Sequence, residues 1–233
     1  LTAGVITDVE VLDFVNGAGV TASQAQATNF TKFVGVSAGG NEVLTIDPGA
    51  GSGAVGNAIN TSTATFTNID TVSTLDHADD AFLLGAGKDT VSVDAALAGD
   101  SGTVVNGGGG SADVLSLNTS GAVNLSTATF TGFETLDHVD AGTGAITVSE
   151  TQMGEFTTVS AKNGQALGIT VAANGAVSNL DLSSQTQTAL VGTYAIGYTV
   201  DNAADVIKAS TSGLAVDTFT IATGTTAFTG GAS

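Results

Sequence analysis

The 233-residue sequence contains no cysteine and no tryptophan, and aromatic residues make up only 5% of it. Without cysteine the chain cannot form disulfides, which fits a secreted bacterial protein that avoids disulfide chemistry. A core short of aromatic side chains must be built from Val, Leu, Ile, Ala and Thr, which suit thin, repetitive β layers better than a bulky globular interior. The composition therefore favours an all-β protein.

Arginine is also absent, and the four lysines face 17 aspartates and five glutamates, so the formal net charge is −18. Such a surface repels phosphate backbones, which argues against a nucleic acid partner. With so few lysines to pair with, most carboxylates are either solvated or available to a cation. Divalent cations would relieve the self-repulsion that opposes a compact fold.

Long apolar runs are missing as well. No segment approaches the roughly 20 residues needed to cross a bilayer, so we expect no membrane insertion. The chain opens with Leu1 and has no basic-then-apolar signal peptide. We therefore expect it to be an internal fragment or a processed part of a longer chain.

Two short themes recur along the sequence and predict strands of four to six residues. One reads FTNIDTV from Phe66 and FTGFETL from Phe130, with looser copies beginning at Phe30 and Met153. The other is an acid followed by alternating apolar residues, as in DTFTI from Asp217. Clusters rich in Gly, Asn and Ser separate the strands and mark turns, so strand and turn alternate roughly every 10 residues.

This organisation is typical of a β-solenoid rather than of tandem sandwiches, because the repeat length drifts while the composition stays uniform. We predict a parallel β-solenoid of irregular short repeats, β-helix-like or β-roll-like, with some ten coils. A single domain is expected over residues 1–233. The solenoid is either continuous from Thr2 to Gly231 or interrupted near residues 163–179, where the Asp-turn pattern fades.

The segment DAFLLGAGKDTVSV is the stretch whose spacing implies chemistry. Asp80 and Asp89 stand nine residues apart, each followed by apolar residues two and four places later, with Gly85 and Gly87 between them. Glycines at alternate positions let the backbone bend sharply and turn its carbonyl oxygens inward. This pattern indicates half of a Ca²⁺ site.

A second half-site follows in GGGGSADVLSL, where Gly108, Gly109 and Asp113 fit the pattern GGxGxD with Ser in place of the last Gly. Because Ca²⁺ takes six to eight oxygen ligands, two loops stacked one coil apart would have to share it. We therefore predict that Asp89 pairs with Asp113, although their separation exceeds the 18 residues of an ideal two-strand coil. Ordinary Gly-Asp β-turns are the alternative reading.

The two histidines lie in the same echo, LDHAD around His77 and LDHVD around His138. The echo either holds a metal ion or is repeat inheritance without a function. No nucleophile elbow, HExxH helix or phosphate loop occurs, and sugar-binding aromatics are scarce, so we expect no enzyme activity. A polysaccharide-active enzyme is the remote alternative.

The run from Asp80 to Val171, about 40% of the chain, resembles bacterial surface-layer proteins of the repeats-in-toxin, type I-secreted class, the Caulobacter type in particular. The matching segments are LLGAGKDTVSV, VVNGGGGSADVLSL and FTGFETLDHVDAGTGAITVS, in the same order. The resemblance implies a right-handed β-solenoid with Ca²⁺ between coils, secretion, and assembly into a two-dimensional lattice. It implies Gly85, Gly87 and Asp89 in one loop and Gly108, Gly109 and Asp113 in the other.

The sequence thus predicts a secreted structural protein that self-assembles at the bacterial cell surface into a calcium-stabilised layer. The alternative is a spacer module of an adhesin or a subunit of an extracellular filament. The expected partner is a second copy of the chain, and cell-surface polysaccharide is a further candidate.

Overall fold

The chain folds as mostly parallel β-sheet in a β-solenoid of about six turns, which confirms the predicted all-β solenoid. The computed structural model describes residues 9–14, 19–35, 42–47, 58–75, 80–93, 102–118, 121–139, 145–161, 167–172, 179–188, 194–200, 204–209, 215–221 and 227–229.

The described residues form 22 strands and two short helices. The strands are β1 (Val11–Asp13), β2 (Val20–Ser23), β3 (Lys32–Val34), β4 (Glu42–Asp47), β5 (Ala58–Asn60), β6 (Thr65–Leu75), β7 (Ala81–Leu83), β8 (Ala86–Val93), β9 (Val104–Asn106), β10 (Val114–Leu117), β11 (Val123–Asn124), β12 (Thr129–Thr131), β13 (Thr135–His138), β14 (Ala145–Ser149), β15 (Thr158–Ala161), β16 (Leu167–Ala172), β17 (Asn179–Asp181), β18 (Thr186–Thr188), β19 (Tyr194–Val200), β20 (Val206–Lys208), β21 (Ala215–Ile221) and β22 (Ala227–Thr229). The helices are α1 (Gln24–Ala27) and α2 (Glu150–Glu155). Neither is long enough to cross a membrane, and no other helix occurs in the described ranges.

The chain divides into two compact units. Unit 1 comprises Leu1–Ser116 with Ala128–Phe133, and unit 2 comprises Leu117–Thr127 with Glu134–Ser233. Residues 163–179, the predicted place of a possible interruption, lie mostly outside the described ranges. Their described part comprises β16, a strand of unit 2 that pairs with β14 and β19, and Asn179, the first residue of β17.

Unit 1 stacks its strands into two sheets. In the first, which we call sheet 1, β1, β3, β6, β8 and β10 follow one another, and β2 and β4 join beside β6. Strand β6 is long because its first part pairs with β3 and its second part with β4. In sheet 2, β5, β7, β9 and β12 follow one another. All of the registers described for these strands are parallel.

Unit 2 is also built from stacked parallel strands, which form three sheets. The orders are β13-β15-β18, β11-β14-β16-β19-β21 and β17-β20-β22. Equivalent residues stack directly, as in the column Ile146, Ile169 and Ile196 of the second of these sheets. All three isoleucines are buried, so each coil buries its apolar row against the next.

The core consists of such columns together with one aromatic cluster. The ring of Phe33 stacks on that of Phe66 with 4.8 Å between centroids, and Phe30 meets Phe33 edge-on at 5.5 Å. Phe33 is fully buried. These rings belong to the copies of the FT theme that begin at Phe30 and Phe66, so in these copies the theme supplies aromatic rings that pack on one another.

The predicted number of coils was wrong. Hydrogen-bonded partners in adjacent coils are 21 residues apart for Thr31 and Glu10 and 29 for Gln185 and Phe156, so one coil consumes far more than one strand and one turn. Each coil contains two or more short strands separated by corners. The solenoid therefore has about six turns instead of the predicted ten.

The alternation of burial predicts a sharp contrast between two neighbouring valines of β9. Val105 is fully buried and Val104 is 46% exposed. We expect Val105→Ala to lower the free energy of unfolding by about 2–3 kcal/mol, because it removes buried methyl groups and leaves a cavity. Val104→Ala should change it by less than about 1 kcal/mol. Urea unfolding followed by circular dichroism measures both, and equal losses would contradict the assignment of inner and outer faces.

Candidate metal centre

The structure brings the two predicted aspartates together on adjacent coils of unit 1. The main-chain N–H of Asp89 in β8 donates to Oδ1 of Asp113, 2.8 Å away, although the residues are 24 positions apart. Asp113 directly precedes β10. Asp89 is 1% exposed and Asp113 is fully buried. Two carboxyl groups therefore lie close together inside the fold.

Their burial follows from strand periodicity. Asp89, Val91 and Val93 alternate on the inward face of β8, and Asp113 stands two residues before the buried Leu115. Successive side chains of a strand point to opposite faces. Each acid therefore occupies the first inward position of an otherwise apolar row.

This environment strongly shifts the pKa of the Asp89 carboxyl group. Burial, followed by the negative charges of Asp113 and Asp70, raises the pKa of Asp89 to about 8. Its Oδ1 accepts a hydrogen bond from the hydroxyl of Thr71, the residue in register with it on β6. Its Oδ2 is buried and makes no hydrogen bond to the described residues. A proton or a cation would satisfy this oxygen.

Two glycines, Gly108 and Gly110, allow the two loops to approach each other. Gly108 has φ +102°, and a Cβ there would lie 1.9 Å from the carbonyl oxygen of Gly85. A Cβ at Gly110 would lie 2.0 Å from the carbonyl oxygen of Gly87, and 2.7 and 2.8 Å from the two carboxylate oxygens of Asp113. Gly110 is thus surrounded by oxygens and cannot carry a side chain without moving the loops apart.

Two of the predicted loop glycines have other surroundings. At Gly109 a Cβ would meet no atom within 4 Å, so nothing in the packing requires glycine there, although its N–H donates to the Gly85 carbonyl at 3.1 Å. At Gly85 a Cβ would lie 2.3 Å from the ring of Phe66, so this glycine also makes room for the aromatic cluster. The sequence reading missed Gly110, Thr71 and Asp70. The spacing of the glycines gave a signal for Gly110, whereas the other two depend on the register of β6.

A shallow cleft of about 300 Å³ lies at these loops, lined by Gly87, Lys88, Gly109, Gly110, Ser111 and Ala112. The donor set suits a hard cation: Asp89 Oδ2, the Asp113 carboxylate and the Gly87 carbonyl are all oxygens. Within the described ranges no group of three or more His, Asp or Glu side chains forms a metal site. A calcium ion here would therefore take its remaining ligands from main-chain carbonyls and water.

Asp80, also predicted as a ligand, belongs to another part of the coil. It precedes β7 in sheet 2, and its main-chain carbonyl accepts a hydrogen bond from the Val104 N–H at 2.9 Å. Asp89 lies within β8 and Asp113 directly precedes β10, and both strands belong to sheet 1. Asp80 is fully buried like them, but it starts a different row of inward side chains.

Of the two copies of the histidine motif, the structure describes His138 but not His77. His138 in β13 is 1% exposed, and neither ring nitrogen makes a hydrogen bond to the described residues. His77 lies outside the described residues, as do Asp79 and Asp140. Asp137 faces the other side of β13 from His138 and accepts a hydrogen bond from the hydroxyl of Ser160.

Comparison of the chain with protein-family models, with curated proteins and with solved structures finds no match. The resemblance to surface-layer proteins consequently rests on the segments quoted above.

A first prediction from this site uses two adjacent glycines. Gly110→Ala should lower the free energy of unfolding by about 1–3 kcal/mol, because its Cβ overlaps the Gly87 carbonyl and the Asp113 carboxylate. Gly109→Ala, with open space around its Cβ, should be tolerated. Urea unfolding of the two variants separates a tightly packed loop from an ordinary turn. Equal stability of both would contradict the close approach of the loops.

A second prediction concerns pH in the absence of metal. The folded protein holds the proton on Asp89 up to about pH 8, whereas an unfolded chain releases it near 3.8. The stability that this carboxyl contributes is fully present below 3.8 and is lost as pH rises to about 8, by roughly 1.4 kcal/mol per pH unit. In chelator, the free energy of unfolding of the wild type should fall between pH 5 and 7 relative to that of Asp89→Asn. Parallel pH profiles would show that Asp89 is not a buried protonated acid.

Proposed function

We propose that this protein is a non-catalytic structural component of the bacterial cell surface, a β-solenoid that calcium stiffens and that self-assembles into an extracellular layer. The observation that carries the proposal is the buried approach of Asp89 and Asp113 on adjacent coils, next to a glycine-lined cleft. The two carboxyl groups oppose the stacking of the coils when both are charged. A divalent cation between them would turn this repulsion into a link.

Metal binding would then be coupled to folding. A chain with net charge −18 opposes its own compaction, and a ligand that binds only the folded state stabilises that state by mass action. Where calcium is scarce, as inside a cell, the folded state would be less stable and the chain easier to export. Outside the cell, millimolar calcium would order the loops.

Two features support self-association. Strand β1 pairs with β3 on one side and, among the described residues, has no strand on its other side. An unpaired strand edge is a template for another chain. Val11 on β1 and the preceding Val9 are 46% and 44% exposed, so apolar surface accompanies this edge.

The proposal predicts that calcium increases both order and assembly. After chelation, titration of Ca²⁺ should raise the β-sheet signal in circular dichroism together with light scattering. Asp89→Asn and Asp113→Asn, singly and combined, should abolish both responses, because each removes a carboxylate from the pair.

Asp181→Asn is the matched control, since it also removes one negative charge. Asp181 is exposed and pairs with Lys208 at 2.6 Å in unit 2, so its loss should leave the calcium response intact. A wild-type chain that is folded and monomeric regardless of Ca²⁺ would refute the proposal. That result would instead favour a spacer module of an adhesin.

A further inference from the structure

Lys88 stands beside the candidate metal centre and is not one of its ligands. It lies between Gly87 and Asp89 in β8 and faces outward, and its side chain is 48% exposed. Its ammonium group is 3.8 Å from Oδ2 of Asp70, the residue in register with it on β6. It also lines the cleft together with Gly87 and Gly110.

The charges around Lys88 form a cluster that spans three successive strands. Asp70 is on β6, Asp89 is on β8 and Asp113 directly precedes β10. The carboxylates of Asp70 and Asp113 both act on the Asp89 carboxyl group across the sheet. Of the three lysines in the described ranges, Lys88 alone lines the cleft; Lys32 is on β3 and Lys208 is in unit 2.

A fixed positive charge at this position has two opposite effects. It offsets part of the negative charge of the neighbouring acidic residues when no metal is bound, which favours the stacking of the coils. It also repels an incoming divalent ion, because the ion must enter the cleft that Lys88 lines. The side chain therefore stabilises the metal-free form and weakens metal binding.

We propose that Lys88 is a tethered counter-cation that lowers the affinity of the Asp89–Asp113 site for calcium. This inference rests on the proposed calcium site and adds how that site is regulated. The consequence is a site that fills only at the calcium concentrations typical of extracellular modules, about 10⁻⁴ to 10⁻³ M, and stays empty at lower ones.

The test is a calorimetric titration of Ca²⁺ into wild type, Lys88→Met and Lys32→Met at low ionic strength. Lys88→Met should bind Ca²⁺ at least about fivefold more tightly than wild type, as expected for removing a unit charge near a divalent ion. Lys32→Met makes the same change in net charge on another exposed lysine of sheet 1, and its affinity should stay within about twofold. Lys88→Glu should bind more tightly still.

A second measurement distinguishes an effect of the Lys88 charge from an effect of its side-chain packing. Raising the salt concentration should shrink the difference between wild type and Lys88→Met, because salt screens half-exposed charges. In chelator, Lys88→Met should unfold at a lower urea concentration than wild type. Circular dichroism in chelator confirms that each variant is folded before titration.

The outcomes distinguish the two proposals. Equal affinity of wild type, Lys88→Met and Lys32→Met overturns the role of Lys88 and leaves the calcium site standing. A lack of binding by wild type and by all three variants overturns the calcium site itself. Binding by the Lys88 variants alone would show that the tethered charge excludes calcium from the cleft.

Discussion

Parallel stacking of equivalent residues is the constraint on which both units depend. Adjacent strands of a sheet lie about 4.8 Å apart, so each residue of one coil meets its counterpart in the next. For apolar positions this is favourable, as in the ring of Phe33 on that of Phe66 and the isoleucine column of unit 2. For charged positions the same rule brings like charges together. The approach of Asp89 to Asp113 is therefore a direct consequence of the fold.

Several contacts partly reduce this repulsion. A main-chain N–H and the Thr71 hydroxyl donate to the two carboxyl groups, and Lys88 offsets charge from the outer face of the same strand. None of these reaches Asp89 Oδ2, which is buried and makes no hydrogen bond to the described residues. A buried polar oxygen without a partner is costly, so a proton or a cation is the natural occupant. Calcium and protons should compete for it.

Much of the fold could be read from the sequence because its cause is local. Alternating apolar residues, frequent turns and few aromatics lead to short strands with one buried face, and the glycine pattern located the loops around Asp89 and Asp113. Helix α2 was not predicted, although Ser149 and Gln152 form the same capping box as Ser23 and Gln26 do at α1. The looser repeat copy placed at Met153 is also better aligned at Phe156, which precedes β15 as Phe30 does β3. Both signals are local and are present in the sequence.

Asp80 was predicted as a ligand but does not lie with Asp89 and Asp113, and the reason is not local in the sequence. Asp80 and Asp89 have the same surroundings in sequence, an acid followed by two alternate apolar residues, and both are buried. Nine residues take the chain only from sheet 2 to sheet 1 of the same coil. A contact between adjacent coils requires residues one full coil apart, which is 24 positions for Asp89 and Asp113. The position that stacks next to Asp80 is Thr103, one residue before the partner of Ala81. Two acidic residues stack only when they are one full coil apart in the sequence. The length of a coil depends on its corners, and a nine-residue pattern does not determine that length.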